Sequence, residues 1–203
     1  MEKDIFELGT VKFPPLNVSW PNCMESPELY KLRYPIGNFV PPENISGKQW
    51  AQWIDDLQGL PQDLRDLVAP LTEDGLDTPY RPGGWTVRQV VHHLSDSHHN
   101  CYLRLKWALT EDNPLIKAYD EKAWAELFDS RTAPVQGSLD HLRAVHAKLV
   151  YLIKGLSKGE LKRKFTHPVG LVECSLEETV GRYAWHGRHH LAHIANLMER
   201  EGW

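Results

Sequence analysis

Apolar residues recur at steps of three and four along four long segments of the chain, and this spacing predicts amphipathic helices. The predicted helices begin at Ser46, Thr86, Ser138 and Ser175. Serine and threonine are good helix N-caps because the side-chain oxygen accepts a hydrogen bond from a free backbone N–H of the first turn. Four such helices, with few strand patterns between them, predict an all-α four-helix bundle.

The segments outside these helices are rich in proline or glycine. Residues 1–44 predict an irregular arm that packs on the domain, because proline at this density breaks helices. Residues 71–84 predict a loop, 165–172 a turn or small hairpin, and 119–128 a short additional helix. Pro61 lies inside the first long helix and predicts a kink or a division there.

Length and composition favour one soluble domain. A chain of 203 residues can bury one sizeable core. The net charge of −4 gives no basic surface for nucleic acid, and no apolar run approaches the ~20 residues of a membrane span. The first ten residues, MEKDIFELGT, lack the layout of a signal peptide. The three cysteines, Cys23, Cys101 and Cys174, are far apart, which predicts no disulfide framework and a cytoplasmic location.

Histidine is concentrated in two stretches of the chain. Residues 85–100 and 182–197 together hold eight of the eleven histidines, and the two stretches belong to the second and fourth predicted helices. Helix bundles build metal sites from side chains that face inward on different helices. The alternative is that these histidines are hydrogen-bonded core or surface residues. The concentration in two helices favours a metal site.

His189 and His193 stand four residues apart, so they lie one helical turn apart and can share one metal ion. The second helix can contribute a third ligand through His92 or His93. These two neighbours point in different directions, so only one should face the site. Residues 189–193 read HHLAH, so no glutamate is built in as a general base, as it is in HExxH enzymes.

Periodicity alone leaves the ligand set open. At about 100° per residue, His186, His189 and His193 fall on one flank of the apolar stripe of the fourth helix. His190 lies nearer the stripe itself. His186, His190 and His193 therefore remain a rival combination.

Four motifs resemble the DinB-like superfamily of four-helix bundles, and within it the YfiT-like group of metal-dependent hydrolases. They are YPIGNF (34–39), LDTPYRPGGWTVRQVVHHLSDSH (76–98), YDEKAWAEL (119–127) and YAWHGRHHLAHI (183–194). The resemblance implies a metal-binding bundle domain over residues 33–203, with residues 1–32 as an N-terminal extension outside it. The chain departs from the family pattern at Gly187 and Arg188, which implies a changed pocket rim.

The resemblance also implies a ligand set, which is His93, His189 and His193. It implies zinc, with nickel as the alternative metal, and a homodimer. It identifies no catalytic residue besides the ligands.

Three functions are consistent with such a site. The first is metal-dependent hydrolysis of a small molecule, since a zinc ion with an open position lowers the pKa of bound water to about 7. The second is S-transfer from a low-molecular-weight thiol such as bacillithiol, mycothiol or glutathione, because a metal deprotonates a coordinated thiol. The third is a non-catalytic metal-binding dimer. It ranks last because structural zinc is normally closed by four protein ligands.

Overall fold

The computed structural model describes residues 26–203, which form nine helices and one hairpin. The elements in chain order are α1 (Pro27–Arg33), α2 (Gly47–Val68), α3 (Glu73–Leu76), α4 (Val87–Thr110), α5 (Glu121–Ala125), α6 (Phe128–Thr132), α7 (Gln136–Lys154), α8 (Lys158–Leu161), β1 (Lys164–His167), β2 (Val172–Ser175) and α9 (Leu176–Glu201).

The helices α2, α4, α7 and α9 form the predicted four-helix bundle. Helices α2 and α4 each pack against both α7 and α9, so α2 and α4 lie diagonally across the bundle from each other. The prediction of an all-α bundle is confirmed. No helix among residues 26–203 is long and apolar enough to cross a membrane.

Local sequence signals set most of the helix ends. The side chains of Ser46, Thr86 and Ser175 accept hydrogen bonds from backbone N–H groups in the first turns of α2, α4 and α9, as predicted. Helix α9 ends at Gly202, whose φ of 72° is the left-handed conformation typical of glycine after a helix. Helix α7 begins at Gln136, two residues before the predicted start, and no side chain caps it.

The shorter elements correct and complete the sequence prediction. The irregular arm predicted over residues 1–44 is wrong for residues 27–33, where Ser26 caps α1 and Pro27 occupies its first turn. The part of the arm before residue 26 lies outside the described residues. The helix predicted over residues 119–128 is shorter, since α5 covers Glu121–Ala125 after the cap Asp120, and Phe128 already belongs to α6. Strands β1 and β2 pair antiparallel and confirm the predicted hairpin.

The buried apolar residues form two clusters at different heights along the bundle. The cluster toward one end of the bundle contains Leu57, Leu105, Leu149 and Val180. The cluster toward the other end contains Leu64, Leu94, Leu142 and Ile194. Between these heights the inward positions of three helices carry buried histidines, which are His98 on α4, His146 on α7 and His189, His190 and His193 on α9. The bundle therefore has a polar layer between two apolar ones.

Glycine allows α9 to approach α2 closely. A Cβ added at Gly181 would stand 2.6 Å from ring atoms of Trp53, and one at Gly187 would stand 2.6 Å from a methyl group of Leu60. Two helices that meet at such positions have no room for a larger side chain. The absence of a side chain at these glycines therefore sets how closely α9, with its histidines, packs on α2.

The Gly181→Ala variant should be less stable than the wild type, although alanine usually stabilises a helix by ~1 kcal/mol over glycine. The new methyl group must displace the buried ring of Trp53, and such overpacking costs roughly 1–3 kcal/mol. Thermal unfolding measures the difference. Gly137→Ala in α7 is the matched control, because a Cβ there meets nothing within 4 Å. Equal melting temperatures for the two variants would refute the steric argument.

Candidate metal centre

The histidines of α4 and α9 line a cavity of about 460 Å³. Its wall also contains aromatic residues from several elements, which are Tyr34, Tyr80, Trp85, Tyr119, Tyr183 and Trp185. The cavity is thus a pocket lined by both imidazole nitrogens and aromatic rings. Pockets of this kind are typical of small-molecule sites.

Within residues 26–203, His93, His186 and His190 form the one group of three potential ligands whose nitrogen atoms all lie within 4.8 Å of one another. His93 comes from α4, while His186 and His190 stand one turn apart on α9. The Nε2 atoms of His93 and His186 are 3.2 Å apart. The ring centroids of His186 and His190 are 4.6 Å apart, and those of His93 and His190 are 4.9 Å apart.

Burial keeps these three imidazoles neutral. It lowers the pKa of His93 to about 4 and lowers the pKa values of His186 and His190 well below the ordinary value of 6.5. The neighbouring histidines add to the effect for His186 and His190, since a positive charge on one ring disfavours a charge on the next. A neutral imidazole is the form that binds metal.

His189 and His193 also line the cavity but lie outside this group. The Nε2 atom of His193 donates a hydrogen bond to the carbonyl oxygen of Arg33 at 3.0 Å, and its ring stacks on Tyr80 with centroids 4.0 Å apart. The ring of His189 stacks on Trp185, and its buried Nδ1 has no hydrogen-bond partner among residues 26–203. The predicted set of His93, His189 and His193 stays a prediction, and only His93 belongs to the group.

The choice between His92 and His93 follows the expected geometry. His92 contacts α7 and the end of α6: its Nδ1 lies 2.7 Å from the Ser138 hydroxyl of α7, and its Nε2 donates to the carbonyl of Ala133, which follows α6, at 3.2 Å. His93 faces the cavity and packs against Trp85. Only one of the two neighbours faces the site.

The cavity wall also contains charged side chains that the sequence analysis missed. Arg104 donates a hydrogen bond to the Tyr183 hydroxyl at 3.0 Å, and its buried Nε has no acceptor within the described chain. No carboxylate of residues 26–203 forms an ion pair with Arg104. Glu121, at the start of α5, is the one carboxylate among the lining residues. Nothing in the sequence marks these positions, because they reach the cavity only through tertiary packing.

The sequence profile of the DinB superfamily matches residues 56–194. This chain belongs to the DinB superfamily. It is 50% identical over 172 residues to YfiT of Bacillus subtilis, covering 85% of this chain and 97% of that one. A relative from Oceanobacillus iheyensis is 47% identical over 171 residues, covering 84% of this chain and 98% of that one. Both relatives are named, provisionally, as metal-dependent hydrolases.

The fold is also that of a solved relative. The structure of YfiT superimposes with a TM-score of 0.83 and covers 85% of this chain and 99% of YfiT. That protein is described as a probable metal-dependent hydrolase with an unusual four-helix bundle topology. The family resemblance stated from the sequence motifs is confirmed.

Proposed function

We propose that this protein is a metal-dependent hydrolase whose divalent metal is held by His93, His186 and His190. The convergence of these three nitrogen atoms in the wall of a cavity carries the proposal. The names of the relatives from Bacillus subtilis and Oceanobacillus iheyensis support the class of reaction. We propose zinc as the metal, with nickel as the alternative.

The donor set fits such a metal. Zinc binds imidazole nitrogen at 2.0–2.1 Å in tetrahedral sites, so two ligand nitrogens stand about 3.4 Å apart. The 3.2 Å separation of the His93 and His186 Nε2 atoms is close to that value. Three protein ligands are the number that a catalytic zinc typically keeps, and a zinc held by these histidines would lower the pKa of water to about 7.

The remaining cavity residues would bind the substrate and move the proton. Arg104 carries a permanent positive charge with an unused donor, so it would bind an anionic group of the substrate. Glu121 is the one carboxylate among the lining residues, so it is the candidate for the general base that the histidine motif lacks. The aromatic walls would exclude bulk water from the reacting groups.

Metal content and activity of the untagged protein test this proposal. We expect one equivalent of zinc or nickel by elemental mass spectrometry, and metal-dependent hydrolysis of some members of a panel of neutral and anionic esters. We expect Arg104→Gln to slow hydrolysis of the anionic esters more than that of the neutral ones. A protein that binds no metal after reconstitution would contradict the proposal.

Parallel assays with a low-molecular-weight thiol and an electrophilic substrate separate hydrolysis from S-transfer. Consumption of the electrophile only when the thiol is present would identify a thiol S-transferase instead. Bound metal with neither activity would favour the non-catalytic dimer. The homodimer itself stays a prediction, which the mass measured by light scattering tests.

A further inference from the structure

A row of histidines connects the proposed metal site to the opposite side of the bundle. The Nδ1 of His186 lies 3.2 Å from the Nε2 of His98, and the Nδ1 of His98 lies 2.9 Å from the Nε2 of His146. The Nδ1 of His146 lies 2.6 Å from the carbonyl oxygen of Leu57. This histidine row therefore joins α9, α4, α7 and α2 in turn.

The Leu57 carbonyl at the end of the row is free to accept a hydrogen bond because of a proline in α2. In an α-helix the carbonyl of residue 57 accepts from the N–H of residue 61. Residue 61 of α2 is Pro61, which has no N–H, so the Leu57 carbonyl lacks its helical donor. A buried carbonyl without a partner is costly, and His146 provides the missing donor.

The carbonyl fixes the direction of every hydrogen bond in the row. It can only accept, so His146 must carry its proton on Nδ1. His146 is neutral because burial lowers its pKa to about 4, and its Nε2 therefore accepts from the Nδ1–H of His98. By the same rule the Nε2 of His98 accepts from the Nδ1–H of His186. The Nε2 of His186 is then left unprotonated.

We propose that His98 and His146 are positioning residues that fix His186 in the Nδ1–H tautomer, with its Nε2 lone pair directed at His93 and His190. This inference rests on the proposed metal site. Neither residue lines the cavity wall with the three ligands, so neither binds the metal or the substrate directly. Both side chains are buried, with exposed fractions of 0% and 2%. Groups that orient a ligand histidine raise metal affinity because the ring is already in its binding state.

Two substitutions at His146 separate this role from simple packing. In His146→Phe the ring can still stack on His98, as the present ring does with centroids 4.8 Å apart, but the hydrogen bonds are lost. In His146→Gln the amide N–H₂ can donate to Leu57 and the amide oxygen can accept from His98. The glutamine can therefore keep the donor and acceptor roles that His146 has in the row, while the phenylalanine can form neither hydrogen bond.

Zinc affinity, measured by competition with a chromophoric chelator, should fall by roughly 10–100-fold in His146→Phe, the usual loss when a group that orients a ligand is removed. His146→Gln should remain close to the wild type. If both variants bind zinc as the wild type does, while His186→Ala loses it, the positioning role is wrong and the metal site stands. A wild-type protein that binds no zinc would instead overturn the proposed function.

A second measurement needs neither a variant nor a metal. Long-range ¹H–¹⁵N correlation spectra of the zinc-free wild type distinguish the two neutral tautomers of each histidine. We expect the Nδ1–H form for His186, His98 and His146. An Nε2–H tautomer at His186 would overturn the inference, even if the His146→Phe variant failed to fold.

Discussion

The His186→Ala variant is expected to lose zinc affinity by more than roughly 100-fold, because removing a ligand should cost more than the 10–100-fold that follows loss of an orienting group. His186 is one of three neutral imidazoles that converge in the cavity wall, and two ligands rarely retain a catalytic zinc. His190→Ala and His93→Ala should behave in the same way. Chelator competition and elemental mass spectrometry measure the loss.

His189→Ala is the matched control for this prediction. His189 is the same residue type on the same helix and lines the same cavity, yet it lies outside the group of three. We expect it to retain one equivalent of zinc. If His189→Ala and His193→Ala lost the metal while His186→Ala and His190→Ala kept it, the ligands would be those that the family resemblance implied.

The zinc-free protein should lose stability steeply as the pH falls from 6.5 toward 4. The folded-state pKa of His146 is about 4, below the unfolded value of 6.5, so in this window the unfolded chain binds a proton that the folded chain does not. Stability is therefore fully present above pH 6.5 and decreases as the pH falls. His146 alone should cost about 2 kcal/mol at pH 5 relative to neutral pH. Burial lowers the pKa values of His98 and His93 in the same direction.

Urea unfolding at pH 7.5, 6.0 and 5.0 gives the free energy of unfolding that tests this prediction. His146→Gln has no titrating group at this position, so its free energy of unfolding should depend less steeply on pH. The number of protons taken up on unfolding should fall by up to one. Stability that stays constant between pH 7.5 and 5.0 would show that the buried histidines are not held neutral. Bound zinc should steepen the acid loss, because protons compete with the metal for imidazole.

The four long helices and most of their ends can be predicted from the amino-acid sequence. The three- and four-residue apolar spacing is a property of each segment alone, and so are the caps Ser46, Thr86 and Ser175. The sequence also located the site on two helices, because histidine is concentrated there. Helix α1 was missed since the prolines around it suggested a break, although Pro27 stands at a first-turn position where proline is tolerated.

Which of the histidines converge depends on how the helices pack. His186, His189, His190 and His193 lie within two turns of one helix, so a small rotation of α9 about its axis changes which of them meet His93. That rotation follows from long-range packing, including the contact of α9 with α2 at Gly181 and Gly187.

The histidine row depends on tertiary structure in the same way. His146 and Leu57 stand 89 residues apart in the chain, and no local pattern relates them. Pro61 was visible in the sequence as a possible break in α2. Pro61 leaves the Leu57 carbonyl without its helical donor, but this carbonyl can accept from His146 only because α7 packs against α2. A hydrogen bond between two helices forms only when the helices have the right separation and orientation.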